Sequence, residues 1–492
     1  MINIAPLRPD PSVAGLFGYE YSTRFQALPI RSEDGRLWVA MADPTNIGTI
    51  ADIADIVCMH IVPVLADAEE LRLHISQLAT DAINTIASQF LVDAELNKHN
   101  PDKINAELLA EISAAPAVRF IDSVLEAAIV SNASDIHIEP YGNRLRTRCR
   151  IDGHLRTYNS VEISILPNVL SRLKIMGGMD IAERRRPQDG RFSMSLSGEK
   201  IEFRLSTLPT AFGEKAAIRL LYDQARLLTK EELGFFPEDL VQLTELFHRP
   251  HGAIFVTGPT GSGKSTTLSR FMMELNLEGK NIVTVEDPVE NPIMGVNHVN
   301  AERAAGFSFA TILRHILRQD PDIIMVGEVR DEETAAIAMQ AATTGHVVLC
   351  TIHTNDAAGI IERLIDMGIE PYISAHALSG VISQRLVRRI CANCKIKKTT
   401  TVKAFGLPPG TTVYTGTGCT ECDNTGYRGR IAVYEYIIFD ENMHREMSEE
   451  PYRLAAKLRS QSRLIENAIK HVLAGNTTLD EIGTVLGAMV DT

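Results

Sequence analysis

Four short apolar runs punctuate the centre of the chain: "AIFVTG" (253–258), "NIVTVED" (281–287), "DIIMVGE" (322–328) and "HVVLCTI" (346–352). Each is rich in β-branched residues and ends in glycine, acid or a polar turn, as a strand buried on both faces does. Between them lie segments with apolar residues at helical spacing, such as "STTLSRFMMEL" and "DEETAAIAMQAAT". The alternation predicts a parallel or mostly parallel sheet covered by helices, an α/β domain over residues 231–492. Two or three helices are expected to close the chain.

The first half has other rhythms. "GRLWVAMADP" predicts a strand ending in a turn, "NIGTIADIADIV" a short helix and "HIVPVLAD" a second strand, followed by helical periodicity through "AEELRLHISQLATDAINTIASQF". The polar stretch "NKHNPDK" reads as a linker, so a small first domain is assigned to residues 1–98. A second domain over 99–230 opens on the helix "APAVRFIDSVLEAAIVSNA" and continues into "DIHIEPYGNRLRTRCRIDG", a hairpin turning at Gly142-Asn143.

Composition narrows the class. With 492 residues, 45% apolar and 23% charged, the chain reads as several globular domains. A formal net charge of −13 argues against broad coating of nucleic acid, which needs a basic footprint. Seven cysteines, an odd number, suit a reducing compartment. No apolar run approaches the ~20 residues of a membrane span and no secretory leader is evident, so a cytoplasmic protein is expected, with any membrane association made through a partner.

The chemistry begins at "GPTGSGKST", comprising Gly258, Pro259, Thr260, Gly261, Ser262, Gly263, Lys264, Ser265 and Thr266. It fits the phosphate-binding loop pattern in full, follows a predicted strand and opens a predicted helix. Glycines let the backbone curl so that its N–H groups face phosphate oxygens, and the helix start adds partial positive charge. Lys264 is the cation for the β- and γ-phosphates of ATP, and Ser265 offers a hydroxyl to Mg²⁺. Two of the predicted strands end in acids, Glu286 and Glu328, with Gly327 interrupting the second run. One acid can orient the attacking water while the other supports the metal; the sequence does not assign which. His353 closes a further strand, where it can meet a phosphate.

Cys391, Cys394, Cys419 and Cys422 form two C-x₂-C pairs within a segment over about 388–434. The gap between the pairs exceeds the commonest zinc-ribbon spacing but still permits a closed, structural tetrahedral thiolate site. Disulfides are the alternative, disfavoured in a reducing compartment. Cys58, Cys149 and Cys350 read as packing residues.

Taken in order, "ASDIHIEP", "RRRPQDGR", "GEKAAIRLL", "GPTGSGKSTT", "VTVEDPVE", "RQDPDIIMVGEVRD", "GHVVLCTIHTNDA" and "QRLVRRICANC…GCTECDNTGYRGRIAVYE" resemble the type II secretion and type IV pilus assembly ATPases over roughly residues 115–490. The resemblance implies a RecA-like P-loop domain with a zinc-binding insert, preceded by a PAS-like α+β domain and a small amino-terminal α/β module that docks on a partner. It implies that "EDPVE" is the family's Asp box, that "IIMVGE" is its glycine-bearing Walker B strand, and that His353 and His346 belong to its His box. It implies a homo-hexamer at the cytoplasmic face of the inner membrane, bound there through platform proteins. By motif position, Arg204 and Arg219 are the second-domain arginines that reach the γ-phosphate, whereas Arg184, Arg185 and Arg186 are interface or surface groups. ATP hydrolysis driving pseudopilus assembly in type II secretion is the leading expectation. Type IV pilus extension is the alternative, and a hexameric nucleic-acid translocase the competitor from another class.

Overall fold

The computed structural model describes residues 27–67 (apart from 34 and 58), 106–196, 199–221, 228–289, 292–301, 307–400 and 405–487, with positions 13, 22, 25 and 71. The chain divides into two compact units, residues 1–221 and 222–492. The predicted helical run over 68–90, apart from Leu71, the linker over 97–103 and Cys58 lie outside the described residues.

The described residues of the first unit form two sheets. Strands β1 (Ala27–Glu33), β2 (Arg36–Met41) and β3 (His60–Leu65) form the smaller, with β1 antiparallel and β3 parallel to β2. The helix Ile47–Val57 connects the parallel pair, as the sequence pattern predicts; β1 was not foreseen. Leu37, Val39 and Met41 face one side with Ile53 and Ile61, while Leu28, Ile30 and Ala40 face the other.

The larger sheet is antiparallel throughout, in the order β6-β5-β4-β9-β8-β7. Its strands are β4 (Asp135–Tyr141), β5 (Arg144–Ile151), β6 (His154–Glu162), β7 (Gln188–Leu196), β8 (Glu199–Thr210) and β9 (Gly213–Leu221). The β4–β5 hairpin pairs Tyr141 with Arg144, so its turn is the expected Gly142-Asn143, with Gly142 at φ 59°. The helix preceding it runs Ala106–Val130, starting before the predicted position. It buries Ala117, Phe120, Ile121, Val124, Leu125 and Ala128, one stripe at helical spacing.

The second unit is built on a seven-stranded sheet in the order β12-β11-β13-β14-β10-β15-β18. Its strands are β10 (Gly252–Thr257), β11 (Ile282–Glu286), β12 (Asn297–Asn300), β13 (Ile323–Val326), β14 (Val347–Ile352), β15 (Leu378–Ile390) and β18 (Tyr427–Ile438); β16 (Lys395–Thr399) and β17 (Thr412–Gly416) pair separately. All neighbours are parallel except β15 and β18. The four predicted strands are β10, β11, β13 and β14, each buried on both faces at its centre. Alternate residues feed two cores: Phe255, Val285, Val326 and Cys350 on one side, Val256, Ile282, Met325 and Leu349 on the other. The cysteine segment interrupts the antiparallel pair β15–β18, so sheet strands reach into the expected 388–434 range from both ends. Four helices follow β18, at Glu441–Glu449, Pro451–Ser460, Leu464–Leu473 and Leu479–Leu486, more than the sequence pattern suggests. Among the described residues no helix is long and apolar enough to cross a membrane.

Candidate nucleotide site

At the carboxyl end of β10 the chain turns into the loop 258–263 and then the helix Lys264–Leu275. A parallel sheet gathers its binding groups at this end of its strands. Gly258, Gly261 and Gly263 have φ of 142°, 76° and 85°, conformations that other residues adopt only with strain. A Cβ on Gly258 would stand 2.3 Å from the Gln384 carbonyl oxygen. The loop is therefore pressed against β15 as well as curled for a phosphate.

Gln384 braces that loop. Its side chain is fully buried; Nε2 donates to the Ser262 carbonyl at 2.7 Å and Oε1 accepts from the Thr267 hydroxyl at 3.0 Å. Sequence reading passed over Gln384 because its partners lie far away in the chain and its own strand already carries serines and arginines.

Lys264 Nζ donates to the loop's own carbonyls, Gly258 at 2.9 Å and Pro259 at 3.2 Å, and lies 3.5 Å from His353 Nδ1. Burial holds its pKa below the ordinary lysine value, with Glu328 opposing that shift. His353 Nδ1 is 3.1 Å from the Gly258 carbonyl, and its Nε2 is 3.1 Å from Glu328 Oε1. Glu328 Oε2 pairs with Arg330 at 2.5 Å. Burial would raise the Glu328 pKa, but the Arg330 hydrogen bond and the charges of Arg330, His353 and Lys264 overcome it and hold the carboxylate ionised. Ser265 is exposed at the helix start and Ser262 is buried.

Gly327 precedes Glu328 at a point where a side chain would be crowded. Its N–H donates to the Val285 carbonyl at 2.8 Å, and a Cβ would come within 3.1 Å of that oxygen and 3.2 Å of Glu286 Cα. The glycine lets the ends of β11 and β13 close, which brings the backbones of the two acids side by side. Their side chains differ in company. Glu286 Oε1 is bonded to Thr284 Oγ1 at 2.7 Å and His298 Nδ1 at 2.8 Å. Sequence reading did not single out His298. His346 lies before β14, at the opposite end from His353, with Nδ1 3.1 Å from the Ala341 carbonyl.

In the first unit, strand register sets Arg191 opposite Arg204, Arg204 opposite Arg219, and Arg219 opposite Asp135. Arg219 Nε bonds Asp135 Oδ1 at 3.0 Å. These four residues and His137 line a cavity of about 630 Å³. Like charges directly opposite on a sheet repel. Asp189 lines the same cavity, so three arginines stand beside two carboxylates, a small excess of positive charge facing the opening. Burial first, then Lys215, holds His137 below its ordinary pKa. Arg184, Arg185 and Arg186 are exposed, as expected of surface groups.

The Sγ atoms of Cys391, Cys394, Cys419 and Cys422 all lie within 4.8 Å of one another. Three of the separations are 3.8, 3.8 and 3.7 Å. A tetrahedron with metal–sulfur bonds of ~2.3 Å has an edge of ~3.8 Å, so the donors fit zinc, and they are too far apart for disulfides. Cys149 and Cys350 are buried, in keeping with packing roles.

Comparison with known proteins agrees with this geometry. A family model described as "Type II/IV secretion system protein" matches residues 110–484, and an MshEN domain model matches residues 1–84. The type IV pilus assembly ATPase PilB of Thermus thermophilus is 39% identical over 96% of this chain, which spans about half (54%) of that longer protein. The type II secretion system protein E of Pseudomonas aeruginosa is 43% identical over 76% of this chain and 76% of its own. Among solved structures, the pilus retraction motor PilT with bound ADP is similar at a TM-score of 0.51 and 27% identity, over 73% of this chain and 94% of that one. With its RecA-like α/β fold and its complete P-loop, the chain belongs to the type II/IV secretion system protein family, as one of its ATPases.

Proposed function

We propose that this ATPase is a motor that powers protein export through pseudopilus assembly in type II secretion. The observation that carries the catalytic part is the convergence of Lys264, His353 and Glu328 on the Gly258–Thr266 loop. In this reading Lys264 and the loop N–H groups hold the phosphates, while Glu286 and Glu328 share the tasks of orienting water and supporting the metal. His353 reports the state of the γ-phosphate to Glu328. Magnesium, held through Ser265, supplies charge neutralisation when bound.

Arg204 and Arg219 serve as second-domain cations for the transition state, within a homo-hexamer whose second domain we read as PAS-like. Arg204 lies directly opposite Arg219 on the neighbouring strand, and only Arg219 is bonded to Asp135; this supports that role, since an incoming anion relieves the repulsion between the two arginines. Residues 1–98 act as the docking module, through which platform partners hold the motor at the cytoplasmic face of the inner membrane. Zinc at the four cysteines would fix the segment between β15 and β18.

Type IV pilus extension fits equally, because relatives carry both names. Expression of the chain in strains lacking either the secretion or the pilus-extension ATPase separates the two: restored export supports the first reading, restored pili the second. Lys264→Ala should restore neither. Arg204→Ala or Arg219→Ala should lower turnover roughly 10- to 1,000-fold with a smaller change in binding of a fluorescent ATP analogue. Unchanged turnover in both would remove the arginines from the mechanism.

A further inference from the structure

His298 sits on β12, the edge strand beside β11, directly opposite Thr284 in the parallel register. Its side chain is only 10% exposed and that of Glu286 12%. The backbone fixes the state of the imidazole. The Ile293 N–H donates to Nε2 at 2.9 Å, so that nitrogen carries a lone pair. A neutral ring must then bear its proton on Nδ1, which faces Glu286 Oε1 at 2.8 Å and Thr284 Oγ1 at 2.9 Å. The Thr284 hydroxyl also donates to Oε1, at 2.7 Å. Two donors therefore converge on one carboxylate oxygen. They fix the rotation of the carboxylate.

We infer that His298 is a positioning residue for Glu286: it and Thr284 tie down Oε1, so Glu286 acts on water or the metal's water shell through Oε2. Glu328 is held differently, with its two oxygens facing Arg330 and His353. The logic is that of an acting group oriented by a second one behind it, as outer partners orient metal-binding histidines and carboxylates. The inference rests on the proposed role of Glu286, and the experiment keeps the two separable.

Steady-state ATP turnover and equilibrium binding of a fluorescent ATP analogue are measured for the full chain and for His298→Ala, His298→Asn, Glu286→Gln and the His298→Ala/Glu286→Gln double variant. A carboxylate swung off its position by about 1 Å costs up to roughly 100-fold, so His298→Ala should lower kcat on the order of 10-fold, with KM and analogue affinity little changed. Asparagine places an amide N–H near the lost Nδ1–H, so His298→Asn should recover most of the rate. In the Glu286→Gln background, His298→Ala should add no further loss. If Glu286→Gln turns over at the wild-type rate, the role of Glu286 itself fails and the inference falls with it. If Glu286→Gln is slow but His298→Ala is not, or if His298→Ala is equally harmful in both backgrounds, Glu286 keeps its role and the positioning by His298 is overturned.

Discussion

His353 joins Glu328 to the phosphate loop: its Nε2 lies 3.1 Å from the Glu328 carboxylate and its Nδ1 3.1 Å from the Gly258 carbonyl. One ring thus touches both the acid after β13 and the first glycine after β10, two strands that are not neighbours in the sheet but flank β14. In the proposed mechanism a change at the γ-phosphate would reach Glu328 through this imidazole. His353→Ala should lower kcat by roughly 10²-fold while leaving ATP-analogue affinity within a few-fold, because Lys264 and the loop amides remain. Turnover and binding assays on the same preparation test this, and a wild-type kcat would show the contact to be structural.

Gly327 should resist substitution more than its exposure suggests. In Gly327→Ala the new methyl group meets the Val285 carbonyl and the Glu286 backbone, so β11 and β13 must move apart. Overpacking of this kind costs about 1–3 kcal/mol. Thermal unfolding should show that modest loss, whereas turnover should fall further, because the displacement falls between the two acids. Equal, small effects on both would mean that the strand ends relax freely.

The four cysteines should bind metal stoichiometrically. Metal analysis of purified protein is expected to find about one zinc per chain, since the described residues hold one four-cysteine cluster of the size a tetrahedral thiolate site requires. Cys391→Ser should lower that content and loosen the 391–426 segment to proteolysis, while ATP-analogue binding at the loop persists. Burial opposes ionisation of Cys422, but hydrogen bonds from the Cys419 and Gly426 N–H groups bring its pKa down to about 7, which favours the thiolate a metal needs. Protein lacking metal but containing two disulfides would contradict the assignment.

Glu139 sets an acid limit on the antiparallel sheet. Its carboxylate accepts from Arg148 at 2.8 and 2.9 Å, Lys215 at 2.8 Å and Arg146 at 3.3 Å. Burial alone would raise its pKa, but the Arg148 and Lys215 hydrogen bonds and charges bring it down to about 2. A depressed carboxylate stabilises the fold above its unfolded pKa of about 4.3, and that contribution is lost as pH falls from there through about 2. Glu139→Gln should therefore destabilise the first unit by about 1–3 kcal/mol at neutral pH and flatten its stability curve between those values. Denaturant unfolding from pH 7 downwards is the measurement; an unchanged acid limb would show that the cations find other partners.

Several features were readable from the sequence because they are local. The P-loop declares itself through glycine spacing, and its three glycines do adopt positive φ. The strands β10, β11, β13 and β14 announce themselves as short β-branched runs, and the Gly142-Asn143 turn follows from two-residue hairpin chemistry. The C-x₂-C pairs needed only to be brought face to face. Each is fixed by residues within one strand, one turn or one loop.

Tertiary structure decided the rest, because sheet order is not chain order. The arrangement β12-β11-β13-β14-β10-β15-β18 sets β15 beside β10, so Gln384 braces a loop 122 residues earlier in the chain, a contact with no local signature. The same order puts β12 next to β11 and gives Glu286 its histidine, while the direction of β14 separates His346 from His353 despite their shared motif. Cross-strand register likewise turned three arginines from three strands into one row. The sequence by itself determined which groups could meet a phosphate or a metal, through turn geometry and residue type; only long-range strand pairing decided which of them stand together and what each is hydrogen-bonded to.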